Sequence, residues 1–412
     1  MMFDASEIRK DFPILQRKVN GHDIIYFDNA ATSQKPLQVI EAVKEFYERH
    51  NANVHRGVHT LSQESSKLYE EAHEETARLV NARGIEEIVF VKNATEAINL
   101  VAYSLALHML GEGDEVITTV MEHHSNIVPW EMLSKIRGFK VKYADVKGDG
   151  TLDFESLEGL ITERTKIVTV THASNVTGVI NDIAKISKLA HQNNAILVVD
   201  GAQSVPHMPV DVRKLDIDFL AFSGHKMLAP TGIGVLYGKR ELLEKMEPFI
   251  GGGDMIRSVK YDKLKGCSIE WHHLPWKFEA GTPNVCNAIG LAEAIRYLKR
   301  LGMENVREHE RQLTQHTLKL LQENESVEVY GPRDVSTKCG IVSFNVRGLN
   351  HHDVALIFDS FGIMVRSGYH CAEPLHHRLG VEGSVRASFY IYNTMDEVER
   401  FIEVLREIRD VR

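Results

Sequence analysis

Short apolar runs rich in valine and isoleucine alternate with longer segments of helical periodicity between residues 36 and 296. This alternation is typical of βαβ units, in which a strand, a crossover helix and a second parallel strand follow one another. Several runs are apolar at successive positions, as strands covered by helices on both faces should be. The pattern therefore predicts an α/β region with a mostly parallel sheet. The predicted strands are 86–91, 115–120, 140–146, 166–172, 195–200, 219–223 and 232–238, and the predicted helices include 94–110 and 182–194.

The pattern changes after residue 285. Two long helical stretches are followed by short apolar runs such as "VEVYG", "GIVSFNV" and "SVRASFYIY", with further helical segments near 351–361 and at 396–408. Helices outside a small antiparallel sheet suit this order, which predicts a second domain of the α+β class. The opening helix, residues 4–11, is expected to join it. We therefore expect a large α/β domain over 23–285 and a small α+β domain built from 1–22 and 286–412.

Length and charge narrow the classes of function. A chain of 412 residues is long for a single core, which agrees with two packed domains. The formal net charge of -9 argues against a nucleic-acid-binding surface, since such proteins usually carry a basic patch. No apolar run reaches the roughly 18 residues that span a bilayer, and the first residues lack a signal-peptide core. We therefore expect a cytoplasmic protein that binds neither nucleic acid nor membrane.

Four cysteines occur, at positions 267, 286, 339 and 371. In a reducing compartment they are expected to be free thiols. Their spacings include no CxxC, and "HEETA" from His73 does not match the HExxH pattern of zinc enzymes, so no metal site is expected. Cys267, Cys286 and Cys339 lie in no recognisable motif and are assigned to packing, because free cysteine behaves as a small hydrophobic residue.

Polar side chains follow several of the predicted strands. In open α/β sheets ligands bind at the carboxyl ends of the strands, so these positions are candidates for a site. "KNATEA" places Thr95 at the start of a helix whose free N–H groups could hold a phosphate, although ordinary capping is the better explanation of this threonine taken alone. "MEHHSN" places His123 at the same rim, where a single histidine is more often a surface residue.

The strand ending in "VVD" places Asp200 directly after apolar residues, followed by Gln203. Burying a carboxylate there is costly unless a cation compensates. "FLAFSGHK" brings Ser223, His225 and Lys226 to the end of the next strand, where apolar surroundings can lower the pKa of a lysine and make it a nucleophile. A structural ion pair between the aspartate and the lysine is the simpler interpretation, but it leaves the other polar residues unexplained.

Pyridoxal phosphate accounts for these residues together. It needs a lysine amine, a carboxylate beside its ring nitrogen, and hydroxyl groups with a helix N-terminus for its phosphate. The sequence therefore predicts a pyridoxal phosphate site at this edge of the sheet.

Nine segments then carry a resemblance to a known family: "FDNAATS", "NANVHRGVHTLS", "NATEAINLVA", "MEHHSNIVPW", "HASNVTGVIND", "VVDGAQSVPH", "FSGHKMLAPTGIGVLYG", "FEAGTPN" and "VRSGYHCAEPL". In this order they resemble the group II cysteine desulfurases of the SufS type, over residues 8 to 408. The resemblance implies a fold-type I pyridoxal phosphate enzyme of the class V aminotransferase group that works as a homodimer.

The resemblance also implies which residues hold the cofactor. Lys226 would bind it covalently, Asp200 would contact the pyridine nitrogen, Gln203 the phenolate oxygen, and His123 would stack on the ring. Asn175 would contact both cofactor and substrate. The phosphate would be held by Thr95, Ser223 and His225, together with Thr282 of the partner subunit.

For the substrate, the resemblance implies that Arg386 clamps the carboxylate with help from Asn175, while Arg366 and His55 line the pocket. A fixed, bidentate guanidinium suits a carboxylate better than a lysine does. The implied reaction converts L-cysteine to L-alanine and leaves the sulfur as a persulfide on Cys371. His123 is a candidate proton donor or acceptor, and Lys226 a base for the α-proton.

The chain departs from the usual pattern at two places near the cysteine. Tyr369 replaces a histidine, and Glu373 follows two residues after Cys371. A nearby negative charge disfavours the thiolate, whereas a protonated His370 would favour it. The sequence leaves the balance between the two open.

Two kinds of alternative remain. Within the same group, the chain could be a selenocysteine lyase, a cysteine sulfinate desulfinase or an aminotransferase. In a different class, it could be an inactive scaffold, which the presence of Lys226, Asp200, His123 and Cys371 argues against. The resemblance further implies sulfur supply for iron-sulfur cluster assembly through an acceptor protein of the Suf type, but no segment identifies that acceptor.

Overall fold

The computed structural model describes residues 3–410, except for the side chains of residues 409 and 410. The helices are α1 (Ala5–Arg9), α2 (Leu37–Glu45), α3 (Thr60–Val80), α4 (Ala94–His108), α5 (Val128–Arg137), α6 (Phe154–Leu160), α7 (Ile183–Gln192), α8 (Arg240–Lys245), α9 (Val285–Leu301), α10 (Met303–Gln322), α11 (His351–Ser360), α12 (Glu373–Arg378) and α13 (Met395–Asp410). The strands are β1 (Lys18–Val19), β2 (His22–Asp23), β3 (Ile25–Tyr26), β4 (Ile88–Val91), β5 (Glu115–Thr119), β6 (Lys140–Ala144), β7 (Thr165–Thr171), β8 (Ile196–Asp200), β9 (Phe219–Ser223), β10 (Gly234–Gly238), β11 (Ile256–Asp262), β12 (Gly266–Trp271), β13 (Val327–Tyr330), β14 (Ile341–Val346), β15 (Ile363–Met364), β16 (Arg366–Gly368) and β17 (Ser384–Ser388).

The central sheet has seven strands in the order β4, β10, β9, β8, β7, β5, β6. Strands β6, β5, β7, β8 and β9 pair in parallel, and β10 is antiparallel to both of its neighbours. Every residue of β5, β9 and β10 is buried, as expected for strands that are covered by helices on both faces. The predicted α/β class with a mostly parallel sheet is confirmed.

Successive residues of a strand pack into different cores, because side chains alternate between the two faces of a sheet. Val198 joins the core formed with α4 and α5, whereas its neighbour Val199 joins the core formed with α7 and α9. Helices therefore cover both faces. Crossover connections on both faces bring the carboxyl ends of the parallel strands to one edge, where the site lies.

A second sheet of four antiparallel strands, in the order β13, β14, β17, β16, follows in the C-terminal part of the chain. Its core includes residues from α10, α11 and α13, with the Phe358 and Phe401 rings stacked 4.7 Å apart. This α+β arrangement agrees with the pattern after residue 285. The division into 23–285 and 1–22 with 286–412 stays a prediction, and residues 1, 2, 411 and 412 lie outside the described residues.

The hairpin of β11 and β12 was not predicted from the sequence. Most of its side chains are exposed, and Leu264 near its turn is 96% exposed. The turn is built locally, because the Asp262 carboxylate accepts the N–H groups of Leu264 and Lys265.

Cys267 lies exposed on β12, so its assignment to packing was wrong, whereas Cys286 and Cys339 are buried. All four cysteines are free, as expected.

Among residues 3–410, no helix combines the length and the apolar character needed to cross a membrane.

Candidate active site

A cavity of about 270 Å³ lies at the carboxyl ends of the central strands. The C-terminal sheet contributes its other wall through the loop that carries Cys371 and through β16 and β17. Most of the predicted site residues line this cavity: Thr95, His123, Asn175, Asp200, Gln203, Ser223, His225, Lys226, Arg366, Cys371 and Arg386.

One end of the cavity is the N-terminus of α4. The Asn93 side chain caps the helix by accepting the N–H of Glu96 at 3.0 Å, and the Ser223 hydroxyl accepts the N–H of Ala94 at 2.9 Å. Thr95 lies between these two positions and lines the cavity. A helix N-terminus with its positive dipole end and free donors favours an anion here.

The backbone before Lys226 is held by an unusual number of donors. The His225 carbonyl accepts the Thr32 hydroxyl at 3.0 Å, the Ser33 hydroxyl and N–H at 3.1 Å each, and the Lys35 ammonium at 2.9 Å. These contacts fix the strand end that presents Lys226. Burial lowers the pKa of Lys35 to about 7, so this lysine loses its proton near neutral pH.

Asp200 is buried, and Lys226 is half-buried. Burial raises the pKa of Asp200, opposed by the N–H of Ala202, which its Oδ1 accepts at 2.9 Å, and by the charge of Lys226. Burial lowers the pKa of Lys226 to about 8, opposed by Asp200. Within the described residues the two form no ion pair at 4 Å or less, so the simple structural pair is not what this geometry shows. The lysine amine is a nucleophile and base poised near neutral pH.

His123 has a defined protonation state. Burial, with the charge of Lys226 second, lowers its pKa to about 4, so the ring is neutral at neutral pH. The N–H of Ser125 donates to its Nδ1 at 3.1 Å, which makes Nδ1 the acceptor nitrogen. The proton of the neutral ring is therefore on Nε2, and the imidazole can donate from that atom.

The two arginines of the substrate pocket lie on neighbouring strands. Arg386 Nη1 donates to the Asn175 carbonyl at 3.0 Å, and its Nη2 donates to Asp28 Oδ1 at 3.3 Å. Arg366 Nε contacts both Asp28 oxygens at 3.2 Å, and its Nη2 donates to Oδ2 at 3.0 Å. Both guanidinium groups therefore share one carboxylate, that of Asp28, which the sequence interpretation had not singled out.

The loop with Cys371 has a strained backbone. His370 and Cys371 have positive φ angles of 52° and 57°, which are uncommon for residues other than glycine. Tertiary hydrogen bonds hold the conformation: Asn175 Nδ2 donates to the His370 carbonyl at 2.7 Å, and the His124 N–H donates to the Cys371 carbonyl at 2.8 Å. The thiol is exposed. Glu373 donates its N–H to His124 Nε2 at 3.3 Å.

A chain of hydrogen bonds leads from this loop into the protein. His376 Nδ1 donates to the Ala372 carbonyl at 3.0 Å, so its Nε2, 3.1 Å from Ser384 Oγ, accepts the serine hydroxyl. Ser384 Oγ then accepts from His370 Nε2, also at 3.1 Å. Burial first, and Arg386 second, hold the pKa of His370 well below its usual range. His370 is therefore neutral, and it supplies no positive charge to favour the thiolate.

The comparison with known proteins agrees with this arrangement. A family model described as aminotransferase class-V matches residues 25–401. The chain belongs to this class-V aminotransferase family.

Relatives of this family member are described as cysteine desulfurases. A probable cysteine desulfurase of Halalkalibacterium halodurans is 49% identical over 408 residues, covering 99% of this chain and 98% of the relative. The cysteine desulfurase of Haloferax volcanii is 47% identical over 421 residues, covering 99% and 97%. The expected resemblance to cysteine desulfurases is thus confirmed, whereas the assignment to group II stays a prediction.

Solved structures give the same result. The apo structure of a cysteine desulfurase from Thermococcus onnurineus matches with a TM-score of 0.92 at 46% identity, covering 98% of this chain and 97% of that chain. The structure of the cysteine desulfurase CsdA from Escherichia coli, with an S-sulfonic acid, matches with a TM-score of 0.91 at 39% identity, covering all of both chains.

Two of the predicted site residues, His55 and Thr282, do not line this cavity. The His55 ring lies 4.4 Å from the Trp276 ring and contacts Tyr69, and burial lowers its pKa. Thr282 is exposed. Their roles in substrate and cofactor binding stay predictions.

Sequence reasoning also missed residues that support the site. Asp28 and Lys35 lie in or beside the quoted segment "FDNAATS", so the signal was present but carried no assigned role. Glu122 precedes His123 and is fully buried, with hydrogen bonds from Thr119 Oγ1 at 2.6 Å and Asn126 Nδ2 at 2.7 Å. Burial raises its pKa to about 7. A carboxylate beside a candidate histidine was visible in the sequence, but its burial was not.

Proposed function

We propose that the protein is a pyridoxal phosphate-dependent cysteine desulfurase, which converts L-cysteine to L-alanine and takes up the sulfur as a persulfide on Cys371. One observation carries the proposal: a single cavity brings together a half-buried lysine of lowered pKa, an exposed cysteine and a buried arginine. An aminotransferase needs the lysine and the arginine but has no use for the cysteine. The names of the relatives support the same activity.

The residues present fit pyridoxal phosphate. Gln203 Oε1 is buried and has no hydrogen-bond partner among the described residues, so the cavity wall has a polar atom that awaits a bound group. Gly234 lets β10 approach the start of α4 closely and so sets the position of that helix N-terminus, since a Cβ there would lie 2.5 Å from Asn93 Cα. Lys226, Asp200, Gln203 and His123 would hold the ring, and Thr95, Ser223 and His225 the phosphate.

When bound, the cofactor would supply an electron sink for negative charge at the substrate α-carbon. The chain itself binds and orients the substrate. Arg386 presents a fixed guanidinium to the carboxylate, with the Asn175 carbonyl holding Nη1, and Arg366 adds positive charge at the same side. This grip directs the α-carbon and the sulfur toward the lysine and the cysteine.

Proton transfer would be carried by two groups, one that accepts a proton and one that donates a proton. Lys226, with its pKa lowered to about 8, accepts the α-proton as a free amine. His123 is neutral and carries its proton on Nε2, which makes it a donor. The sequence had left donor and acceptor roles open for His123, and this tautomer favours the donor.

Cys371 would receive the sulfur. Its thiolate attacks the substrate sulfur, an S–S bond forms, and the C–S bond breaks with its electron pair remaining on the carbon skeleton, which is then protonated to alanine. Because the thiol is exposed, the outer sulfur of the persulfide can then pass to an acceptor.

The biological setting is part of the proposal. Thr282 is exposed and lies outside the cavity of its own chain, as expected for a residue that reaches the cavity of a partner in a homodimer. We further propose a cytoplasmic enzyme that supplies sulfur for iron-sulfur cluster assembly through an acceptor protein of the Suf type. The exposed thiol supports transfer to a protein acceptor.

Incubation of the holoenzyme with L-cysteine tests the activity. We expect alanine in solution and, on Cys371, a mass increase of one sulfur atom. Cys371→Ser should abolish both, whereas the matched control Cys267→Ser, which replaces the other exposed cysteine, should retain both. L-selenocysteine tests separately for selenocysteine lyase activity, because a selenol is acidic enough to leave the substrate without attack by the Cys371 thiolate. Alanine formation from L-cysteine by Cys371→Ser at the normal rate would contradict the proposal.

A further inference from the structure

Two positive charges face each other at the substrate end of the cavity. Arg366 on β16 and Arg386 on β17 are directly paired residues of neighbouring antiparallel strands. Like charges directly opposite each other destabilise a sheet. The two side chains also differ in their freedom, because Arg386 is 3% exposed and Arg366 is 49% exposed. The arrangement therefore needs a counter-charge.

Asp28 supplies this counter-charge. It follows β3 and is bridged in parallel to Ser388 at the end of β17, which places its side chain beside both arginines. Its carboxylate makes three contacts of 3.0 to 3.2 Å with Arg366 and one longer contact of 3.3 Å with Arg386. Both arginines line the cavity, whereas Asp28 does not.

The remaining donors of Arg386 show where a ligand binds. Nη1 is taken by the Asn175 carbonyl, Nη2 is held only by the long contact to Asp28, and Nε is buried without a partner among the described residues. Nε and Nη2 form one edge of the guanidinium, and this edge fits the two oxygens of a carboxylate. A buried donor without a partner is costly, so this edge favours a ligand that accepts from it.

We propose that Asp28 is a specificity-determining residue, an internal carboxylate that leaves the arginine pair with one net positive charge and so limits it to one substrate carboxylate. This inference rests on the proposed function, because it concerns how that site takes its amino acid. Two guanidinium groups and one carboxylate sum to a single unit of positive charge. The incoming carboxylate takes Nε and Nη2 of Arg386, and Asp28 gives up its long contact but keeps its three contacts with Arg366.

The test compares anions with one and two carboxylates. Acetate and malonate are titrated against the holoenzyme without L-cysteine by calorimetry, and their competitive inhibition constants are then measured with L-cysteine. In Asp28→Asn the pair carries two net charges. We expect the ratio of the malonate to the acetate dissociation constant to fall about tenfold, since one unit charge at about 4 Å is worth at least a few-fold even in water. The KM for L-cysteine should fall as the competitor is removed.

Two further variants keep the test decisive. Asp23→Asn makes the same change of net charge at an exposed position on β2, and it should leave the ratio and the KM unchanged. Asp28→Asn combined with Arg366→Gln restores one net charge and removes both partners of the ion pair, which proteins tolerate better than the loss of one. It should return the ratio to the wild-type value, even if Asp28→Asn alone does not fold.

A merely structural Asp28 gives the opposite results. The KM of Asp28→Asn would then rise because the arginines lose their alignment, the malonate to acetate ratio would stay constant, and the double variant would be worse than the single one. Any of these outcomes overturns the inference. Absence of L-cysteine turnover in the wild-type enzyme would overturn the proposed function instead, and the calorimetric titrations would still decide the role of Asp28.

Discussion

Replacing Ser384 by alanine removes one hydroxyl that serves two buried histidines. The hydroxyl donates to His376 Nε2 and accepts from His370 Nε2, both at 3.1 Å. Ser384 and His376 are fully buried, and His370 is 8% exposed, so water does not readily replace the missing group. Ser384→Ala therefore leaves one buried acceptor and one buried donor without a partner.

The size of the effect follows from these two groups. A buried polar group left without its partner costs about 1 to 3 kcal/mol, which gives about 2 to 6 kcal/mol for the pair. The two rings lie 5.6 Å apart, so a small movement lets one imidazole donate to the other and recovers part of the loss. We expect a loss of about 2 to 4 kcal/mol. With an unfolding entropy of about 0.9 kcal/mol/K for 412 residues, the Tm falls by about 2 to 5 °C.

Differential scanning calorimetry of the wild type and Ser384→Ala under the same conditions measures this shift. The matched control is Ser360→Ala, which removes an exposed hydroxyl that donates to the Ile357 carbonyl at 2.7 Å. The Tm of this control should change by less than 1 °C, about the effect of an ordinary surface substitution. Equal Tm values for the two variants would refute the serine bridge between the two histidines. They would also remove the argument that His370 carries its proton on Nε2.

Three further results are expected. Burial lowers the pKa of His172 and of His309 to about 4, below the value of 6.5 in the unfolded chain, so the unfolded state binds more protons between these two values. The Tm should therefore fall as the pH drops from 6.5 to 4, and a constant Tm over this range would contradict the prediction. Gly234→Ala places a Cβ 2.5 Å from Asn93 Cα and should displace the start of α4. Equilibrium dialysis should then show that pyridoxal phosphate binds at least several-fold more weakly, whereas unchanged affinity would exclude the expected phosphate site. Arg386→Lys loses the bidentate contact with a carboxylate, so steady-state kinetics should show that the KM for L-cysteine rises about tenfold or more. A KM within twofold of the wild type would rule out this arginine as the carboxylate ligand.

The fold could be predicted to a large extent from local pattern. Strands β5, β7, β8 and β9 are long enough and apolar enough to be recognised, and their ends lie within two residues of the predicted bounds. The hairpin β11–β12 escaped prediction because it is stabilised by its own pairing and not by burial. Apolar residues alternate with polar ones at Cys267, Ile269 and Trp271 on β12, but this run is short, and none of the three side chains is buried.

In the candidate site, too, some residues could be predicted from local pattern and others could not. Lys226, Asp200, Ser223 and Thr95 could be found because each lies at or just after the end of a strand, or at the start of a helix, whose position is fixed by a recognisable run. The role of Asp28 could not be found, because it depends on strands that are distant in sequence. The role of Ser384 could not be found either, because it depends on how the rings of His370 and His376 are buried and oriented. Asp28 reaches arginines more than 330 positions away, and no local pattern reports such a pairing.

The sequence by itself determined the α/β class, the strand ends that carry the polar residues, and a resemblance strong enough to indicate the family. Only the tertiary structure decided the charge states and the partners. Burial set the pKa values of Lys226 and His123, a serine amide selected the tautomer of His123, and one carboxylate was placed between two arginines. The physical reason is that pattern and composition act along the chain, whereas desolvation and hydrogen-bond geometry depend on which distant segments meet.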